Sequence, residues 1–313
     1  MKLLVIGGTK FLGRAIAAEA LARGHELTLF NRGETNPGLF SGAEELRGDR
    51  NKDLSALERR TWDAVIDPSG YTPAAVRATA EALRDSGRYV FVSSVSVYAD
   101  FSRGPTEESP LAELGDLPVD ELSSDYSNYG PLKALAEEEA RRVFGDRALV
   151  LRPGLIVGPN DPTGRFTYWA RRLQRGGRIL APGPPERKSQ FVDVRDLALW
   201  TLAAVERGLS GTFNATNEGV SWGALLADAD VVWVSDEFLQ EHGVGPWMEL
   251  PLWLPEPEWA GMHETDVSRA VAAGLRFRPL QETIRGAAEA PAVDGVGLTA
   301  EREEELLAAW RER

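Results

Sequence analysis

The sequence predicts a doubly wound α/β fold. Two observations carry this: short runs rich in Val and Leu alternate with helical patterns through the first two thirds of the chain, and a glycine-rich turn stands at the first strand-to-helix junction. Strand-length apolar runs, each followed by a helix, describe βαβ units and so a parallel sheet covered on both faces. In chain order the strands are LLVIG (3–7), ELTLF (26–30), EELRG (44–48), AVID (64–67), RYVFVSS (88–94) and RALVLRP (147–153). The segment FLGRAIAAEALARG (11–24) repeats apolar residues at helical spacing and stops at Gly24. AAVRATAEALRDSG (74–87) and YGPLKALAEEEARRVFG (129–145) read as helices for the same reason.

After about residue 160 the texture changes. GRFTYWARRLQRGG (164–177) is helical, APGPPERKSQ (181–190) is a loop, and FVDVRDLALWTLAAVERG (191–208) opens as a strand and continues as an amphipathic helix. Trp222, Trp233, Trp247, Trp253 and Trp259 crowd one stretch, within which PWMELPLWLPEPEW (246–259) is too rich in proline for regular structure. That stretch is read as the aromatic core of a small domain rather than as a lid over substrate. TAEREEELLAAWRER (299–313) reads as a solvated helix with a narrow apolar seam. The expected organisation is a nucleotide-binding domain over residues 1–163, completed by parts of 191–220, a smaller α/β substrate-binding region over 164–290, and a helical tail over 291–313.

Composition narrows the function. The chain of 313 residues has no cysteine, which excludes disulfides, a thiolate nucleophile and zinc–thiolate sites, and points to a reducing compartment. The opening MKLLVIGGTK has too short an apolar run for a signal peptide, and no stretch reaches the ~18 to 20 apolar residues of a membrane span. A formal charge of −13 argues against a nucleic-acid partner. His25, His242 and His263 are scattered without metal-ligand spacing, so no metal is expected. The expectation is a cytoplasmic protein with a small-molecule substrate and no membrane association.

Two constellations carry chemistry. In GGTKFLG (7–13) Gly7 ends a strand and Gly13 lies in the first turn of a helix, so the backbone between them must turn sharply. Its N–H groups and the helix dipole suit a cofactor pyrophosphate, and a glycine at the third position lets helix and strand approach closely. Thr9, Lys10, Phe11 and Leu12 complete the loop, and Lys10 stands where a dinucleotide fingerprint has its middle glycine. Lys10 either lets its ammonium approach a cofactor phosphate or points to solvent. The second strand ends in Asn31 and Arg32, without the acidic residue that would take the adenosine ribose hydroxyls. Arg32 is either a partner for a 2′-phosphate, favouring NADP over NAD, or an exposed loop arginine. Asp49 and Arg50 follow the third strand, where Asp49 either meets the adenine amine or caps a turn.

The second constellation pairs Tyr129 and Lys133, four residues apart and so on one helix face. A lysine beneath a tyrosine, with the helix dipole, is expected to lower the phenol pKa and make Tyr129 a general acid/base. Ser93, Ser94 and Ser96 stand at the C-terminal edge of a parallel strand, where doubly wound folds place active sites; turn and cap chemistry is the competing reading.

The glycine loop, SSVSVY (93–98), YGPLK (129–133), LRPGLIVGPND (151–161) and FVDVRDLA (191–198), in this order, resemble the extended short-chain dehydrogenase/reductases, the NAD(P)-dependent epimerase/dehydratase group. The resemblance covers residues 1 to about 220 and implies a Rossmann fold, an oxidoreductase or epimerase activity and NADP or NAD as cofactor. It selects Ser94, four residues before Tyr98, as the catalytic serine, with Tyr129 as acid/base and Lys133 on the nicotinamide ribose. Pro153, in Arg152–Pro153–Gly154, should pass beside the nicotinamide, and Pro68 and Ser69 should lie under the cofactor. Asp67 and Tyr71 depart from the small residues usual there. The implied reaction is hydride transfer at a carbinol or carbonyl carbon, with Tyr129 moving the proton and Ser94 holding the substrate oxygen. Val95 and Ser96 replace the acidic pair of sugar-nucleotide dehydratases, which disfavours dehydration. Arg165, Arg187 and Arg195 are candidates for a substrate pyrophosphate, with Ser96 as a further substrate contact and solvated arginines as the bland reading. A homodimer is a family expectation. GGTKFLG and FNRG (30–33) resemble a branch, the chloroplast stem-loop-binding proteins, that includes RNA binders. That supplies an alternative: an RNA- or nucleotide-binding regulatory protein on the same scaffold.

Overall fold

The computed structural model describes residues 1–313. The first elements are β1 (Lys2–Ile6), α1 (Phe11–Ala22), β2 (Glu26–Asn31), β3 (Glu44–Arg47), β4 (Ala64–Asp67), α2 (Pro73–Ala82), β5 (Arg88–Val92) and α3 (Tyr129–Phe144). There follow β6 (Ala148–Pro153), β7 (Leu155–Val157), α4 (Arg165–Arg175), β8 (Arg178–Pro182), β9 (Lys188–Ser189), β10 (Phe191–Asp193), α5 (Val194–Glu206) and β11 (Gly211–Ala215). Seven strands form one sheet in the order β11-β6-β5-β4-β1-β2-β3, every pairing parallel. This is the Rossmann arrangement, with its strand order reversing at β1.

Side chains alternate across the sheet and feed two cores. Leu3, Val5, Leu29, Ile66 and Leu151 face α1 and α5, where Ile16, Leu197 and Trp200 close the layer. Leu4, Ile6, Phe30, Val65 and Phe91 face α2 and α3, against Val76, Ala136 and Phe144. With both faces dry, the strands read as continuous apolar runs. Thr72 caps α2 through its side chain, which accepts from the Ala75 amide, and Pro73 occupies the first turn. The helix expected over 74–87 ends at Ala82 instead. Trp62 holds the following stretch: its carbonyl accepts the Gly87 amide and its own amide donates to Ser86 Oγ.

The rest of the chain is β12 (Val220–Ser221), α6 (Trp222–Leu225), β13 (Asp230–Val234), α7 (Asp236–Glu241), α8 (Ser268–Ala272), α9 (Leu280–Ala288) and α10 (Ala300–Arg311). A third core unites Phe166, Trp169, Trp222, Phe238, Trp253 and Ile284 with the α10 residues Leu306 and Leu307. The tail is therefore not merely solvated: Glu303 is 2% exposed and accepts from Arg172. The region 164–290 is not one continuous piece either, because Ala270 and Leu275 rejoin the core under α1 and α5. The proline-rich stretch holds only two-residue strands, Pro246–Trp247 and Leu250–Pro251, and at its end a 3-10 helix over Pro257–His263. Trp222 and Trp253 are core residues, whereas Trp259 is 40% exposed.

Candidate active site

A cleft of about 560 Å³ runs along the C-terminal ends of β1, β2, β4 and β5. It lies at the point where the strand order reverses, the place where open α/β sheets bind ligands. One end is built from GGTKFLG. Gly7 and Gly8 adopt φ of +104° and +90°, and a Cβ on Gly13 would lie 2.9 Å from the Gly8 amide nitrogen. Helix α1 therefore approaches the loop as closely as a glycine cradle for a pyrophosphate demands. Lys10 has ordinary extended backbone (φ −132°, ψ 139°), so no glycine is needed there, and its side chain is exposed at the border of the cleft. Gly7, Thr9, Lys10, Phe11, Leu12, Gly13, Asn31, Arg32, Asp49, Arg50, Pro68, Ser69 and Pro153 all border this cleft.

Their polar groups are not equally free. Asn31 holds the loops together: it donates to the Gly7 carbonyl and accepts from the Gly33 amide and from Arg47. Asp49 caps the Asn51 amide at 3.0 Å. Arg32 is exposed and reaches only Glu34, at 3.0 Å. The Arg50 guanidinium borders the cleft and is held in a two-pronged bond to Asp67 at 2.6 and 2.7 Å.

The other end gathers Ser94, Tyr129 and Lys133. Ser94 ends the extended run after β5 and caps a short turn over Val95–Val97 by accepting the Ser96 amide; its hydroxyl donates to Ser96 Oγ at 3.0 Å. Helix α3 starts directly on this turn, because a Cβ on Gly130 would lie only 2.0 Å from the Ser96 carbonyl. The absence of that side chain brings Tyr129 beside Ser94. Lys133 is 3% exposed and donates to the carbonyls of Gly70 (2.8 Å) and Val92 (2.6 Å), under the rings of Phe91 and Tyr71. Burial pushes its ammonium down to about 7. Burial likewise pushes the Tyr129 phenol up to about 12, with Tyr71 adding to the rise and Ser94 opposing it. This reverses the expected depression of the phenol. Desolvation is the largest cause, and two of the three ammonium donors of Lys133 are turned to backbone carbonyls.

Among the substrate candidates, Arg187 is bound in a two-pronged pair to Asp236 and Arg195 to Asp193, and neither borders the cleft. Both guanidinium groups are held by a carboxylate of their own region. Ser96 also lies outside the cleft. Arg165 does not border the cleft either, but its charge is felt at Tyr129; its guanidinium stacks 4.7 Å over the Trp247 ring, and its buried Nε has no hydrogen-bond partner. Sequence reasoning missed Trp247 as a site-side residue; its left-handed φ of 64°, in a proline-rich turn, leaves no periodic signal. His263, which was given no role from the sequence, is a buried structural histidine: its Nδ1 accepts from the Gln190 amide and burial depresses its pKa to about 4.

Residues 74–216 match the model of the NAD dependent epimerase/dehydratase family. The Arabidopsis thaliana chloroplast stem-loop binding protein of 41 kDa b is 28% identical over 69% of this chain, and the chain spans 59% of that relative's length. The dTDP-6-deoxy-L-talose 4-dehydrogenase (NAD(P)(+)) of Kitasatospora kifunensis is 27% identical over 91% of this chain and 93% of its own. The crystal structure of UDP-glucuronic acid 4-epimerase from Bacillus cereus in complex with NAD shares the fold, with a TM-score of 0.63 at 17% identity over 92% of this chain and 98% of that one. Family match, relatives and fold point the same way: residues 74–216 match the NAD dependent epimerase/dehydratase family, and the chain as a whole is similar in sequence to a dehydrogenase and in fold to a nucleotide-sugar epimerase.

Proposed function

We propose that this enzyme is an NADP-dependent epimerase or reductase acting on a carbinol or carbonyl carbon of a sugar or nucleotide sugar, with Tyr129 as general acid/base. The observation that carries this is the meeting of Ser94, Tyr129 and Lys133 at one end of a cleft whose other end is a glycine cradle. The dinucleotide supplies a hydride acceptor and donor at its nicotinamide ring. Gly7, Gly8, Gly13 and the N-terminus of α1 would hold its pyrophosphate, Lys133 its nicotinamide ribose, and Pro153 would flank the ring.

The chain's own groups handle the proton. With its pKa raised to about 12, Tyr129 holds its proton at neutral pH and is set to donate to a substrate oxygen. Its return to the basic form needs positive charge nearby, which Lys133 provides when protonated. Ser94 presents its hydroxyl to the same oxygen. Val95 and Ser96 offer no carboxyl for an elimination, so epimerisation or reduction is favoured over dehydration. Arg165, stacked on Trp247 with an unpartnered nitrogen, is the candidate contact for a substrate oxygen or phosphate. The preference for NADP rests on Arg32 and Lys10, both exposed beside the cleft.

Fluorescence titration tests the cofactor, with NADPH expected to bind more tightly than NADH and the reverse order sinking the Arg32 assignment. A cofactor-coupled screen over nucleotide sugars, free sugars and small ketones tests the substrate class. Salt-sensitive RNA binding at physiological ionic strength, without turnover in that screen, would favour instead the activity that the chloroplast relative's name suggests.

A further inference from the structure

Below the Lys133 end of the cleft lies a charged pair that the chemistry above does not use. Asp67 is fully buried at the end of β4 and accepts both terminal nitrogens of Arg50, the Tyr89 hydroxyl at 2.6 Å and the Ser69 amide at 3.1 Å. Arg50 comes from the loop after β3 and also reaches Ser69 Oγ, Thr79 Oγ1 and the Ala75 carbonyl, at 3.2 to 3.3 Å. Ser69 Oγ in turn donates to the carbonyl of Ile6, the last residue of β1. One ion pair thus joins the loops after β3 and β4, helix α2 and the end of β1. The turn it holds leads to Gly70, whose carbonyl receives the Lys133 ammonium at 2.8 Å. Gly70 is wedged in place: a Cβ there would lie 2.5 Å from Val76 and 3.2 Å from the Asp67 carboxylate.

We propose that Arg50 and Asp67 are a positioning pair for Lys133, fixing the Asp67–Gly70 turn that presents the Gly70 carbonyl and setting the balance of charge beneath the ammonium. The role given to Lys133 rests on the function proposed above. A buried carboxylate left unpaired would be costly, and the two-pronged geometry with added donors is what makes the pair tolerable in a dry site. Burial alone would raise the Asp67 pKa, yet Arg50, Tyr89 and the Ser69 amide hold it below the usual carboxylate range. Toward Lys133 the two charges act in opposite senses, Asp67 favouring the ammonium and Arg50 opposing it. The remaining groups facing Lys133 are Glu137 on α3, itself bound to Arg152 and Arg141, the Phe91 ring from β5 and the Tyr71 ring from the loop after β4.

The experiment is carbon-13 NMR of the full chain labelled at the lysine ε-carbons. Lys2, Lys10, Lys52, Lys133 and Lys188 are all the lysines of the chain, so the Lys133 signal is identified by its loss in Lys133→Arg. In Asp67→Asn the lone Arg50 charge should move the Lys133 titration midpoint to lower pH, and in Arg50→Gln the lone carboxylate should move it higher, each by about one pH unit. The double variant, which buries neither charge, should return the midpoint close to wild type. Arg50→Lys keeps the charge but loses the two-pronged grip; it should weaken NADPH binding about tenfold through the loosened turn while moving the midpoint least. If the single variants shift the midpoint in the same direction, or not at all, the charge balance is overturned. Should a single variant fail to fold, the double and Arg50→Lys decide: a double-variant midpoint far from wild type, or Arg50→Lys with unchanged NADPH affinity, overturns the proposal. Failure of the wild-type protein to bind NADPH would instead sink the cofactor reading, leaving the NMR result to stand by itself.

Discussion

The two ends of the cleft solve opposite problems. At the Lys133 end every charge is dry and held: Lys133 by two carbonyls, Asp67 by Arg50 and Tyr89, Glu137 by Arg152 at 2.7 Å. At the glycine-loop end the cations Lys10 and Arg32 are exposed, and Arg32 meets only an exposed Glu34. Dry charges act at short range with little screening, so that end can tune a proton. Wet charges act weakly and adaptably, so that end can change sequence with small consequence for the fold. This is why a lysine can stand where a fingerprint glycine is expected, while Gly13 cannot be exchanged: Lys10 has open, extended backbone and Gly13 has none to spare.

The largest effect expected on that contrast is at the dry end. Tyr129→Phe should lower turnover of any substrate found in the screen by about 10²- to 10⁴-fold with little change in cofactor affinity, measured by steady-state kinetics and NADPH titration. Unchanged turnover would mean that the dry end is not where the proton moves. Next comes Gly13→Ala, whose new methyl would meet the Gly8 backbone; a loss of about 1 to 3 kcal/mol in chemical denaturation, with NADPH binding weakened in parallel, is expected. The smallest effects belong to the wet end. Arg32→Ala should weaken NADPH binding by about three- to tenfold, consistent with ~1 kcal/mol for an exposed ion pair, and leave NADH nearly unchanged. Lys10→Gly separates a phosphate contact from a solvent-pointing side chain: unchanged NADPH affinity would retire the contact.

The centre of the sheet was legible because its strands are buried on both faces and announce themselves as apolar runs, and the glycine loop because its spacing is local; the edge strand β11, GTFNA, carries no such run and was not read. What stayed hidden depends on partners far along the chain or on burial. β7, β8 and β13 are short or carry polar residues, and they pair within small two-stranded sheets that no periodicity signals. Arg50, in the loop after β3, and Asp67, at the end of β4, meet only through the fold, so each was read alone. The helical spacing of Tyr129 and Lys133 correctly gave a shared face but not the desolvation that raises one group and lowers the other. Arg195 is the exception, since its partner Asp193 stands two residues away in the quoted motif and could have been found there.

The return of residues 267–277 to the sheet core also governs how the two halves of the molecule can move. The chain passes from the sheet to the tryptophan-rich core, back through α5 and β11, out again, back at Ala270 and Leu275, and out once more to α9 and α10. A lobe joined by one linker can swing open; one stitched by several crossings is tethered along a line. Substrate entry should therefore involve small shear of the stitched faces, and a single proteolytic nick should leave the two lobes associated.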